Sequence, residues 1–352
     1  MSLGFPIGVS NGPPPGAKAS SGKDGFQELA DAGVTFVRTG RADWGAGATL
    51  DEELAGELAL LDHARARGMQ CWLYLGEAPN LPAARDSVNE RLLTRIVRTV
   101  KDHPALGAYK GIDEPRNPLR TPTFVPPAGL VRAYRKLKTL DAAHPLVIVH
   151  APRGTVAQLT PYRPAFDISG VDVFPIAYPP GGHTDSRNKD ISAVGDLVRR
   201  VRQAGGAKPV WATLQIAWSG TARSQRRPNV IPRFPSLKEE RFMAYQAIVA
   251  GARGLMFFGG HLTQVLSPSD ATLGWNWTFW VRVLRPLVHE LASDELRPAL
   301  LAADAKPGVR TKAGYPNIEL VTRRTGNFAY AIVVKRSGPT VEVGRASCRE
   351  RV

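Results

Sequence analysis

The sequence predicts a (β/α)8 TIM barrel followed by a small C-terminal β-domain that is cut short. Strand-like and helix-like runs alternate through eight βα units between Phe5 and Leu300, the number and size that close such a barrel. No Gly-x-Gly-x-x-Gly follows the first strand-like run, which argues against a doubly wound dinucleotide fold. Beyond about Ala302 the pattern changes to strand-like runs with no helix between them. The expected domains are residues 1–300 for the barrel and 301–343 for the start of a β-sandwich-like domain, with a separate tail at 344–352.

The elements follow in order. FPIGVS from Phe5 is the first strand, and DGFQELADAG is a helix that ends at Gly33. VTFVRTG from Val34 is the second strand. DEELAGELALLDHARARG carries acids in its first turn and arginines in its last, as the helix dipole favours. QCWLYLG is the third strand, SVNERLLTRIVRTVKDH the next helix and GAYKGIDEP the fourth strand. PPAGLVRAYRKLKTLDAAH is a helix with proline at its start, and PLVIVHAP is a fifth strand, apolar throughout as a buried parallel strand should be. A short irregular segment leads to DISGVDVFPI, the sixth strand, and then to the helix ISAVGDLVRRVRQAG. KPVWATLQIAW is the seventh strand, and SLKEERFMAYQAIVAGARG a helix closed by Gly254. LMFFGG is the eighth strand, and the segment from Trp277 to Leu300 supplies the last helix. IELVTRR and FAYAIVVKR, joined by RTGN, read as a hairpin. The loop from Tyr178 to Lys189 is rich in Pro, Gly and polar residues and reads as a mobile rim loop.

Composition bounds the function. The chain has 352 residues, 43% of them hydrophobic, enough to bury a sizeable core. No apolar run is long enough to cross a bilayer. The first residues show no signal peptide and enter strand-like sequence almost at once, so the expectation is that upstream residues, with any secretion signal, are missing. Residues 344–352, GRASCRERV, back-translate to a common sequencing adapter read in frame and are expected to be foreign. That tail holds three arginines against one glutamate, so it contributes +2 of the net charge of +15. The basic residues fall on helix faces rather than in a compact block with interleaved aromatics, which favours a solvated outer surface over nucleic-acid binding. Of two cysteines, Cys71 reads as core and Cys348 lies in the suspect tail, so no disulfide is inferred.

Chemistry in such barrels gathers at the C-terminal ends of the strands. Strand two ends near Arg38, strand three near Tyr74 and Glu77, and strand four at Asp113 and Glu114, just before Pro115. Strand five ends at His150, strand six at Asp172 and Phe174, and strand seven at Gln215 and Trp218. Strand eight leads to His261, with Trp275 and Trp277 beyond it. Acids, amides and aromatic plates around one mouth suit a sugar, because rings stack on its apolar faces and carboxylates and amides bind its hydroxyls. Trp72 and Trp211, inside strands, read as core, whereas Trp218 and Trp275 are candidate binding residues.

In order and spacing, GAYKGIDEP, DISGVDVFP, KPVWATLQIAW and EERFMAYQAIVAGARGLMFF together resemble the (β/α)8-barrel glycoside hydrolases, over roughly Phe5 to Leu300. The resemblance implies that Glu114 occupies the position of a general acid/base, with Asp113 in place of the asparagine that usually precedes it. It also implies a departure: retaining members carry a nucleophilic glutamate on strand seven, where this chain has Gln215. Asp172 is the leading alternative for the second carboxylate, and Glu240 another, although an acid in a helix's first turn has its own dipole reason to be there.

Glycoside cleavage needs one protonated carboxyl and one ionised one, separated by about 5–5.5 Å for retention or about 6.5–9.5 Å for inversion. Glu114 is expected to be the acid, raised by burial and by Asp113, with Arg38 holding the other carboxylate ionised. Arg38, Asp113, Glu77, His150, Gln215, Trp218, Glu240, His261 and Trp275 are the expected binding residues. The competing readings are a carbohydrate-binding barrel without activity and a metal-dependent barrel hydrolase using His150, His261, Glu114 and Asp172. Against the metal, no His-x-His follows strand one and no His-Glu-x-x-His occurs. No Walker loop is present, and no organic cofactor is implied.

Overall fold

The computed structural model describes residues 3–117, 124–176, 184–216, 233–259, 267–305 and 317–337. Eight parallel strands close a barrel in sequence order. They are β1 (Ile7–Val9), β2 (Phe36–Gly40), β3 (Gln70–Tyr74), β4 (Leu106–Asp113), β5 (Leu146–His150), β6 (Ile168–Asp172), β7 (Val210–Gln215) and β8 (Ala252–Phe258). The helices between them are α1 (Gly25–Ala32), α2 (Leu50–Arg65), α3 (Val88–Val100), α4 (Pro127–Leu140), α5 (Val156–Leu159), α6 (Ala193–Gly205) and α7 (Leu237–Ala250). After β8 come α8 (Pro268–Leu273), α9 (Trp277–Phe279), α10 (Arg285–Ala292) and α11 (Arg297–Leu301). A separate antiparallel pair, β9 (Ile318–Thr325) and β10 (Phe328–Lys335), ends the described chain.

Local chemistry accounts for the helix boundaries. Thr49 and Glu52 form a reciprocal capping box at the start of α2, and Ser236 and Glu239 do the same for α7. Asp24 accepts the N–H groups of Phe26 and Gln27 at α1. The residue that closes α7 is Gly251, not Gly254: Gly251 has φ +107°, the left-handed turn glycine adopts without strain, and Gly254 already lies in β8. The segment between β5 and β6 is α5 followed by a 3-10 turn at Thr160–Ala165 rather than irregular chain. The last helix is divided into α9, a π-turn at Trp280–Leu284, α10 and α11.

Two apolar layers follow from strand alternation. Inside the barrel, Phe36, Trp72, Ala108, Val147, Val149, Ile168, Trp211 and Met256 form their own cluster. Trp72 and Trp211 meet edge to face at 5.8 Å there, so both are core residues. Gly8 admits this packing, since a Cβ on it would fall 2.3 Å from Met256 Sδ. Outside the staves, a much larger cluster joins the strands to the helices.

β4 departs from regularity where it matters. Lys110 pairs with Val147 and Asp113 with Val149, so three steps on β4 match two on β5. The extra residue is a bulge. It brings residues 110 and 113, which a regular strand would send to opposite faces, to one side of the sheet. Ile112, between them, packs outward against Tyr162 and Phe166.

Candidate active site

The inner phase of the strands turns from apolar to charged toward the C-terminal end. Above Ala108 and Trp72 come Lys110 and Tyr74, and above Phe36 and Ile168 come Arg38 and Asp172. The Lys110 ammonium is 2.8 Å from Asp113 Oδ1 and lies over the rings of Tyr74 (4.6 Å) and Trp72 (5.5 Å). Arg38 also lies over the Tyr74 ring, its guanidinium carbon 5.4 Å from the ring centre, and one of its terminal nitrogens donates to Asn11 Oδ1.

Glu114 follows Asp113 with φ +49°, a left-handed conformation uncommon for a residue with a side chain. Hydrogen bonds to neighbouring chain hold it there. Its N–H donates to Val149 O (2.8 Å), and Asn117 Nδ2 donates to its Oε2 (2.5 Å). The side chain is half-buried, whereas Asp172 is 8% exposed. Burial first, then the neighbouring charges of Asp113 and Glu114, push the Asp172 carboxyl well above the usual carboxylate range. Lys110 and a hydrogen bond with Thr213 oppose the shift without cancelling it. The Asp172 carboxyl is thus pushed up by its surroundings, and Lys110 lies within ion-pair distance of Asp113.

The other expected residues divide. Gln215 is fully buried, with Nε2 donating to Ile176 O (2.6 Å) and Oε1 accepting from Ile176 N (2.9 Å), so its amide latches the chain that leaves β6. Trp275 is buried in the core, and its Nε1 donates to Asn11 O (2.8 Å), which makes it a support for the loop after β1 rather than an open stacking plate. His150 corrects the expectation of a mouth residue. It shares the outward phase of Ile148 and packs edge-on against Tyr162 and Phe166, and burial lowers it to about 4. Glu77 is exposed in the turn after β3. Glu240 is fully buried in the first turn of α7 with neither carboxylate oxygen hydrogen-bonded, and burial pushes it well up. Trp218 and His261, the residues 344–352 and part of the rim loop from Tyr178 lie outside the described residues.

Lys110, Asn11 and Phe258 were not singled out by sequence reasoning. Lys110 had a signal, a lysine in the inward phase of an otherwise apolar strand. Asn11 had none, because its role depends on Arg38 and Trp275 arriving from distant chain. Phe258 stacks on Phe174 at the tips of β8 and β6, with ring centres 5.2 Å apart and planes 10° from parallel, and both are part-exposed. Among the described residues no three His, Cys, Asp or Glu side chains converge as a metal site requires. A cavity of about 420 Å³ at the opposite end of the barrel, near Phe5, Phe36 and Leu300, has no acid in its lining.

Comparison with solved structures places the fold. A β-galactosidase from Rahnella sp. matches with a TM-score of 0.58 and 12% identity, over 87% of this chain and 58% of that one. A family 39 glycoside hydrolase from Bacteroides cellulosilyticus matches at 0.55 and 12%, over 92% and 69%. An exo-β-1,4-mannosidase from an Opitutaceae bacterium matches at 0.55 and 16%, over 89% and 64%. The chain spans 58–59% of the length of the β-galactosidases it matches. No protein-family model and no curated protein matches the sequence. The chain thus has the closed (β/α)8-barrel fold in which these glycoside hydrolases are built.

Proposed function

We propose that this protein is a glycoside hydrolase-like enzyme that cleaves O-glycosidic bonds, with Glu114 and Asp172 as its working carboxyls. The observation that carries this reading is the pair of unlike environments at one barrel mouth. Asp172 is buried, its carboxyl pushed well above the usual range by that burial and by the charges of Asp113 and Glu114, and Glu114 stands half-exposed at the strand-four tip. A protonated carboxyl can donate to the leaving oxygen, and a second carboxylate can activate water or attack the anomeric carbon. The stacked Phe174 and Phe258 supply an apolar surface for a sugar face, and the solved neighbours are enzymes of this class. The substrate is a carbohydrate, and the reading calls for no cofactor, nucleic acid or membrane.

The test is hydrolysis of a panel of aryl glycosides by the wild type and two variants. Asp172→Asn should lose about 10²–10⁴-fold on poor leaving groups and much less on dinitrophenyl glycosides, which need no proton donor. Glu114→Gln should lose activity on both. The reverse pattern would exchange the two roles. Hydrolysis indifferent to both variants would sink the reading.

A second reading, a carbohydrate-binding barrel without activity, is favoured by one observation. The strand-seven tip has Gln215 where the resemblance expects a carboxylate, and its amide bonds both backbone groups of Ile176. Calorimetry that shows equal oligosaccharide binding by the wild type and Glu114→Gln, with no product formed, would select it.

A further inference from the structure

Lys110 is an ammonium inside a barrel, with 4% of its side chain exposed. Taking a cation and a carboxylate out of water costs several kcal/mol per ion, and an apolar pair in their place is often as stable or more so. The pair is therefore poorly explained by stability alone. Its position explains it better. The bulge in β4 is what turns Asp113 onto the Lys110 face, and the rings of Tyr74 and Trp72 stand beside the ammonium, where their π faces attract it. Asp172 is close enough that its charge and that of Lys110 each act on the other.

We propose that Lys110 is a positioning residue: its buried ammonium, 2.8 Å from Asp113 Oδ1, keeps that carboxylate ionised and turned to the inner face of the barrel mouth. The inference rests on the proposed hydrolysis only for the use made of that charge.

The groups around Asp172 come from each neighbouring stave. β4 and its tip present Lys110, Asp113 and Glu114, and β7 presents the Thr213 hydroxyl. β5 presents the apolar Val147 and Val149, and Gln215 is committed to Ile176. Arg38 acts on Lys110 from β2. Lys110 thus has two opposed effects. Its direct attraction favours ionised Asp172, and its stabilisation of the Asp113 charge disfavours it. The Asp113 charge raises the Asp172 carboxyl, so removing that charge should lower it.

The experiment is a carboxyl-carbon NMR titration of the full chain, labelled at the aspartate side chains, in the wild type, Lys110→Met, Lys110→Arg and Asp113→Asn. In the wild type Asp172 should titrate at higher pH than Asp113. Asp113→Asn should lower the Asp172 midpoint by about one pH unit or more, a tenfold change in proton affinity. Lys110→Met should raise the Asp113 midpoint by a similar amount, and Lys110→Arg should restore it. An Asp172 midpoint unmoved in Asp113→Asn would overturn the inference, as would an Asp113 midpoint unmoved in Lys110→Met. Asp113→Asn keeps it testable if Lys110→Met does not fold. A merely structural role for Lys110 would change stability and leave these midpoints in place. The titration needs no turnover, so an inactive protein would count against the proposed hydrolysis and not against this inference.

Discussion

Glu240 lies in the first turn of α7, fully buried, with both side-chain oxygens lacking a hydrogen-bond partner. A first-turn acid is ordinarily favoured by the helix dipole, but that benefit belongs to the charged form. Here burial and the charge of Glu239 favour the neutral form. The folded group therefore holds its proton more tightly than the unfolded one. Its share of stability is full below the ordinary glutamate range and is lost as pH rises through the folded value. Glu240→Met should stabilise the protein by about 1–3 kcal/mol, the cost of an unsatisfied buried polar group, and by more at pH 8 than at pH 5. Urea midpoints at the two pH values check this, and a gain that shrinks with rising pH would contradict it. Glu114 shows the opposite relation between residue and surroundings. Pro115 after it disfavours helical backbone, and its left-handed φ persists because Val149 and Asn117 hold it.

At the scale of elements, β7 shows why a residue type can change when its job changes. The Ile176 latch needs a donor and an acceptor on one side chain, which an amide has and a carboxylate lacks. Gln215→Glu restores the residue type expected on strand seven by resemblance, yet it removes the donor to Ile176 O and adds a charge at a site with no exposure. It should destabilise the fold by about 2–4 kcal/mol and fail to raise activity. Thermal unfolding together with the aryl-glycoside assay reads both effects, and a stable, more active variant would show that Ile176 does not depend on the amide. α2 does similar work on another loop. Glu57 accepts Gly40 N (2.9 Å), and Glu53 accepts Gly45 N (2.5 Å) and pairs with Arg41 (2.8 Å), so helix acids shape the chain leaving β2.

At the scale of the whole molecule, the β9–β10 pair is tied to the barrel by buried and half-buried charges. Arg323 has no exposed surface. It donates to Ala299 O (3.1 Å) and Leu300 O (3.2 Å) at the end of α11 and pairs with Asp304 (3.2 Å). Farther along, Glu319 pairs with Arg199 of α6 (2.8 Å), and Arg336 with Asp196 (2.8 Å). Arg323→Met should leave the two helix carbonyls unsatisfied, while Asp304 keeps its pairing with Arg253 (2.9 Å). The expected loss is about 1–3 kcal/mol, borne mainly by the hairpin. Chymotrypsin should then cut at Phe328 or Tyr330 earlier than in the wild type, with the barrel's circular dichroism unchanged. Equal cleavage rates would show that the hairpin is held by other contacts.

The sequence by itself determined the barrel, because strand-like and helix-like periods alternate through eight βα units, several marked by a capping residue or a closing glycine. It also determined that acids gather at the tip of strand four and that Trp72 and Trp211 are core, since alternation along a strand is a local property. Tertiary structure alone decided that Asp172, on β6, is pushed toward its neutral form. That depends on burial and on charges brought to it from β4 and its tip, which lie far away in the chain. It also decided the facing of His150, which follows the outward phase of Ile148, and of Asp113, which the β4 bulge turns to the side of Lys110. A bulge is a register relation between two strands, and no single-strand pattern contains it.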